Sequence, residues 1–237
     1  MAPVPVDPDA SGAAVLADGA LGADRGLGGE FARLVAVVAR LRRDCPWDAE
    51  QTHASLAKHL VEETAETVDA IEAGGPDDLC EELGDLLIQI CFHAELARQD
   101  GWFDVDDVAC GVIAKLIGRH PWVFGTQGVP SDMMASWEAA KRAEKARMSA
   151  LEGIPDAMSA LARASKVITR VRDVHLDLEV APSPSPGASK AERVGQALLA
   201  LVDRAHAAGV DADQALRVAL RDLEARVRAA EASNFTA

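Results

Sequence analysis

The chain has little that would commit it to disulfide, membrane or polynucleotide chemistry. Only Cys45, Cys80, Cys91 and Cys110 occur, and no two form a CxxC pair. That spacing excludes the usual zinc and dithiol frameworks, and leaves the cysteines as small buried hydrophobes of a reducing compartment. No apolar run approaches the ~20 residues that span a bilayer. The N-terminus lacks the basic and apolar regions of a signal peptide, so a cytoplasmic protein is expected. Clustered basic residues are also missing: 24 Lys and Arg stand against 38 Asp and Glu, for a net charge of −14. Phosphate backbones attract clustered cations, so a nucleic-acid polymer is excluded as partner and a small ligand, complemented by cations, is expected.

What is present suits a globular protein. Of the 237 residues, 49% are hydrophobic and 26% charged, enough for one large or two small domains with their own cores. Residues 1–28 are rich in Ala, Gly, Pro and Asp without sustained periodicity and read as a mobile tail. From Glu30 the run FARLVAVVARLR has helical periodicity and stops at Asp44-Cys45-Pro46-Trp47-Asp48, an ordered loop that Pro46 prevents from continuing the helix. Trp47 there is either a plug in the core, the more ordinary role of an indole, or a lid over a ligand.

Two helical patterns follow, from near Thr52 to Ala73 and from an N-cap signature at Asp78 and Glu81 onward. Gly74-Gly75-Pro76 separates them, with glycine suited to a left-handed helix cap. Each helix carries two carboxylates three residues apart, Glu63 with Glu66 and Glu82 with Asp85. At about 100° per residue, a three-residue step leaves each pair within about 60° on one face. Leu56, Leu60, Thr67 and Ala70 lie near Glu63 in angle, and Leu79, Leu86, Ile90 and His93 lie on the side of Glu82 and Asp85. Antiparallel packing therefore brings four carboxylates to one pocket. Like charges about 4 Å apart repel by about 4 kcal/mol at an effective dielectric of about 20, so such a cluster calls for a cation or protons. All-oxygen ligation favours magnesium, or manganese, over zinc. A di-iron bundle would need Glu-x-x-His motifs on two helices, and this region has none.

Cys45-Pro46-Trp47-Asp48, Gln51-Thr52-His53, the run Glu62 to Glu66, Glu81-Glu82-Leu83-Gly84-Asp85, Phe92-His93 and Arg119-His120-Pro121 together resemble the MazG family of nucleoside triphosphate pyrophosphohydrolases, over about residues 30–150. One departure is Trp122, where the family commonly has a second His in His-Pro-His-Val-Phe. The resemblance implies an all-α fold in which helical hairpins form a four-helix bundle, completed by homodimerisation or higher assembly. It implies magnesium on Glu63, Glu66, Glu82 and Asp85, with hydrolysis of the α–β phosphoanhydride of a nucleoside triphosphate to monophosphate and pyrophosphate. House-cleaning of damaged nucleotides is one use of such an activity. Glu62, beside the cluster, is a candidate general base. Lys115 and Arg119, four apart on a helix opened by Phe103 to Val108, can meet phosphate oxygens. Trp137 and Lys141 are similar to a family pattern that contacts nucleotide.

Residues 151–237 read as a shortened second copy without the chemistry. A helical pattern over Pro155 to Arg172 precedes a linker near 181–190, APSPSPGAS. Beyond it, Arg193 to Leu199 overlay Glu82 to Ile88, and Asp211 onward overlays Asp104 onward, which puts Arg193 at Glu82, Gln196 at Asp85 and Asp222 at Lys115. The catalytic domain is thus expected at 29–150. The alternative function is a non-catalytic assembly or regulatory protein that retains the fold. An intact set of four carboxylates speaks against it, because a scaffold gains nothing from their repulsion.

Overall fold

The computed structural model describes residues 29–133, 136–137, 139–141 and 149–235, and among these every regular element is helical. The tail expected at 1–28 lies outside the described residues. The chain forms two compact units, up to Ser131 and from Asp132 onward.

The first unit is built on a helical hairpin. Helix α1 spans Gly29–Asp44, and the stretch expected as a loop closes into a one-turn helix, α2, at Pro46–Ala49. Pro46 permits this because it occupies the first helical position, where no amide hydrogen is needed. Arg42 fastens the connection by donating to the carbonyls of Asp48 and Gln51 and to Gln99 Oε1. Helix α3 runs His53–Ala73, with Thr52 as N-cap. The Thr52 hydroxyl accepts from the Ser55 amide at 3.1 Å, and Ser55 Oγ accepts from the Thr52 amide at 2.9 Å.

The turn between the hairpin helices differs from expectation. Gly74 is extended, with φ −86° and ψ −177°, rather than left-handed. Glycine is required there by close approach: a Cβ would stand 2.9 Å from both the Cα and the carbonyl oxygen of Ala70. Helix α4 spans Pro76–Gln99, beginning ahead of the expected cap at Asp78. Asp78 sits in the first turn, where its carboxylate accepts from the Gly75 amide at 2.7 Å.

Helices α3 and α4 pack along their length and α1 lies on α4, which encloses a core of Val38, Leu56, Cys91, Phe92 and Leu96. Removing such side chains from water is the main stabilising contribution. Of the cysteines, Cys91 is buried as expected, but Cys80 and Cys110 are exposed; all four are free thiols. Trp47 is 57% exposed, so it is no core plug. Helix α5 (Val105–Arg119), capped by Asp104, packs on α4 yet buries none of its own residues, and the one-turn α6 (Pro121–Phe124) follows.

The second unit holds α7 (Ala160–Asp173), α8 (Lys190–Ala207) and α9 (Ala212–Phe235), in mutual contact around Ile168, Val171 and Val202. Helix α7 begins later than the pattern from Pro155 suggested, because Ser159 serves as N-cap and accepts from the Ala162 amide. Residues 174–188 form no helix or strand.

Candidate metal centre

The α3–α4 hairpin places acid opposite acid. Glu63, Glu66 and Glu82 each offer a carboxylate oxygen within 4.8 Å of the other two, the one such grouping of three or more metal-ligand side chains among the described residues. The local reason is helical periodicity on α3 combined with the hairpin crossing. At that crossing the buried Thr67 hydroxyl donates to the Glu63 carbonyl at 2.7 Å and lies 3.4 Å from the Glu82 carbonyl. A small residue there lets the two backbones approach, and its hydroxyl is satisfied without consuming a carboxylate.

Electrostatics confirm the crowding. Burial, then the charges of Asp85 and Glu66, push the Glu63 carboxyl above the usual range. Burial, then Glu66 and Asp85, do the same to Glu82. Asp85 is exposed and stands outside the group of three, but its charge bears on both. The Glu82 Oε2 atom is buried with no hydrogen-bond partner, an expense that an unfilled acceptor rarely carries without cause.

The donor set fits a hard divalent cation. Three carboxylate oxygens gathered within 4.8 Å of one another suit the oxygen ligation such an ion takes. All donors are carboxylate oxygens, and an orphaned Glu82 Oε2 awaits a partner.

The other predicted residues are distributed around the two units. Glu62 is exposed on the face beside the cluster, with Oε2 3.4 Å from His59 Nδ1. Lys115 is exposed and Arg119 half-buried on α5, which packs against the helix that carries Glu82 and Asp85. Trp137 and Lys141 belong to the second unit and meet each other, the Lys141 ammonium lying 4.5 Å from the indole centroid.

Sequence reasoning missed a stack of rings farther along the hairpin. His53 and His93 join through Nδ1 atoms 2.7 Å apart, with ring centroids 5.0 Å apart. Trp102 stacks on the same His53 ring at 5.6 Å. Both Nε2 atoms are buried without a partner. A signal was available: in an antiparallel hairpin, a step of about ten residues back along one helix meets a similar step forward along the other. From Glu63 and Glu82 that step leads to His53 and the neighbourhood of His93. Trp47 lies edge-on to His59 at 6.5 Å, and its exposure removes the core-plug alternative.

Comparison with known proteins finds relatives of this chain. The model of the MazG nucleotide pyrophosphohydrolase domain matches residues 51–124, which contain all four carboxylates. A nucleoside triphosphate pyrophosphohydrolase of Mycobacterium tuberculosis is 38% identical, over 97% of this chain and 69% of its own. One from Escherichia coli K12 is 37% identical, over 84% of this chain and 86% of its own. An uncharacterized 26.1 kDa protein of Streptomyces cacaoi is 42% identical, over 86% of this chain and 84% of its own.

Proposed function

We propose a function from one established premise: the chain belongs to the MazG family of nucleotide pyrophosphohydrolases. It acts as a nucleoside triphosphate pyrophosphohydrolase, dependent on magnesium or manganese, that breaks the α–β phosphoanhydride and releases a nucleoside monophosphate and pyrophosphate. The observation that carries this reading is the group of Glu63, Glu66 and Glu82 with its orphaned Glu82 oxygen, inside the matched segment.

Glu63, Glu66 and Glu82 would hold the ion, with Asp85 as the fourth carboxylate of the set. Bound there, magnesium supplies Lewis acidity toward phosphate oxygens and toward a water. The protein's own groups do the rest. Glu62, whose Oε2 lies 3.4 Å from His59 Nδ1, accepts the proton of the attacking water. Lys115 and Arg119 offset charge on the leaving pyrophosphate, the arginine through its planar pair of donors. The family resemblance assigns nucleotide contact to Trp137 and Lys141, and within the second unit the Lys141 ammonium lies over the indole.

A homodimer is part of the proposal. Helix α5 leaves Val112, Ile113, Leu116 and Ile117 each 47–51% exposed, and the α4 residues Leu83 and Ile90 are exposed at 50% and 46%. Apolar faces on consecutive helices are what a second hairpin would cover to complete a four-helix bundle. Among the described residues no helix is long and apolar enough to cross a membrane, consistent with action in the cytoplasm, where damaged nucleotides arise. Residues 151–237 are read as a silent second copy that serves packing and assembly.

The test is direct. The chain is incubated with each nucleoside triphosphate, with magnesium or with EDTA, and the products are separated. Monophosphate and pyrophosphate, lost with EDTA, are expected. Diphosphate with orthophosphate would refute the α–β assignment, and no product at all would favour a scaffold.

A further inference from the structure

The second unit has buried a charge without giving it a counter-charge. Arg170, near the C-terminal end of α7, is only 6% exposed. No hydrogen bond or ion pair from the described residues reaches its guanidinium. Its neighbours on the helix are treated differently: Arg172 bonds Asp203 at 2.6 Å and Arg163 bonds Asp156 at 2.6 Å.

Arg170 borders a cavity of about 650 Å³, walled chiefly by Leu151, Val167, Val171, Val174, Leu176 and Leu178. Asp173 is the one carboxylate among the described lining residues; it has an interaction of its own, and no ion pair among the described residues joins it to Arg170. The size is that of a small-molecule site. The chemistry is specific as well. A cation buried without a partner is costly, and an entering anion removes that cost by pairing with it. An uncharged ligand would leave the guanidinium unpaired. A polyanion would exceed the one cation and meet a chain of net charge −14. A ribose or a base edge would face aliphatic walls that cannot hydrogen-bond, so the substrate of the carboxylate centre is a poor occupant.

We propose that this cavity binds a small amphipathic anion with a single acidic head, its carboxylate or phosphate on Arg170 and its aliphatic or aromatic body against the Leu and Val walls. The site is distinct from the carboxylate centre, and all its lining residues lie in the second unit.

Calorimetric titration of the full chain with octanoate, octyl phosphate and octanol tests this, in the natural protein and in Arg170→Met. At least one of the two anions binds saturably, one per chain, and its identity shows which head the guanidinium takes. Octanol binds at least about 10-fold more weakly, because it offers no charge-assisted pair. Arg170→Met weakens the anion by roughly 10- to 100-fold and leaves octanol unchanged. Without ligand, Arg170→Met melts at the same temperature or higher, since an apolar replacement relieves an unpaired buried charge. A lower melting temperature would give Arg170 a structural role and overturn the site. So would the absence of saturable anion binding, equal binding of octanol and the anions in the natural protein, or anion binding indifferent to the substitution.

Discussion

The turn from α4 to α5 and the turn from α8 to α9 are made of the same parts. Gly101 and Gly209 both have φ 71°, in the left-handed region that a side chain disfavours. The next amide, of Trp102 or of Val210, reaches back to the carbonyl of Ala97 or Ala205, at 2.9 Å in each case. Asp104 then accepts from the amides of Asp106 and Asp107, and Asp211 from those of Asp213 and Gln214, all at 2.9–3.1 Å. Yet the helices leading into these turns differ in chemistry. Helix α4 carries Glu82 and Asp85 toward a cluster of acids, whereas α8 has Arg193 and Gln196 at the positions the overlay assigns them. The difference teaches that capping devices and site chemistry are separable: backbone hydrogen bonds set where helices start and stop, and whatever side chains the helix face holds ride on that frame.

A second pair makes the same point. Arg42 stands near the C-terminal end of α1 and Arg170 near the C-terminal end of α7. Arg42 spends its guanidinium on three oxygens that close the α2 connection. Arg170 has no such loop to hold and faces a cavity instead.

Four experiments bear on this contrast. The largest effect is expected at the acid cluster. Glu63→Gln lowers turnover by roughly 10²-fold or more, because a ligand and its charge are lost where transition-state charge develops. Helicity by circular dichroism stays unchanged. Gln196→Ala, at the overlaid position of the second unit, leaves turnover within about 2-fold. Equal losses from the two variants would end the contrast, and undiminished turnover of Glu63→Gln would remove that residue from the ligand set.

Each unit also has its own core. Leu56→Ala opens a cavity in the first and costs about 2–5 kcal/mol. Hydrogen exchange then accelerates in 53–99 and not in 160–207. Val202→Ala does the reverse. Acceleration throughout in both variants would mean one cooperative unit.

The third expectation concerns pH. Burial, then the charge of His53, hold His93 below its ordinary value. A depressed histidine favours folding above the unfolded value of about 6.5, and that stability is lost as pH falls below it, because the unfolded chain takes up the proton first. The melting temperature of the natural protein should therefore fall more between pH 7 and pH 5 than that of His93→Gln, measured in saturating magnesium so that the acid cluster does not titrate. Parallel curves would show that the pair is not the sensor.

The smallest effects are at the caps. Asp104→Ala and Asp211→Ala should each cost about 1 kcal/mol in denaturant unfolding. A cost at one cap alone would mean that the two turns share geometry without sharing energetics.

Much of the candidate site was legible in the chain because helical periodicity is a local property. Spacing alone put Glu63 with Glu66 and Glu82 with Asp85, and the hairpin then needed only to close. The cap at Gly74 was misjudged, since a close approach to Ala70 depends on how the chain leaves the helix rather than on which residue ends it. The choice between plug and lid for Trp47 was open for a related reason. Its identity says that an indole can be buried, but only the packing of α2 decides whether there is a core to receive it.

Sequence by itself therefore determined most of the helices, starting near Thr52 and in the Phe103 to Val108 run among others, and the acid pairs, all of which depend on residues within about four positions of one another. Tertiary structure decided which acids meet. It drew Glu82 to Glu63 and Glu66 while leaving Asp85 at the margin, set His53 against His93, and left Arg170 without a partner. Those outcomes depend on the crossing of packed helices, where a shift of a few ångströms changes every side-chain neighbour, and no local pattern encodes that distance.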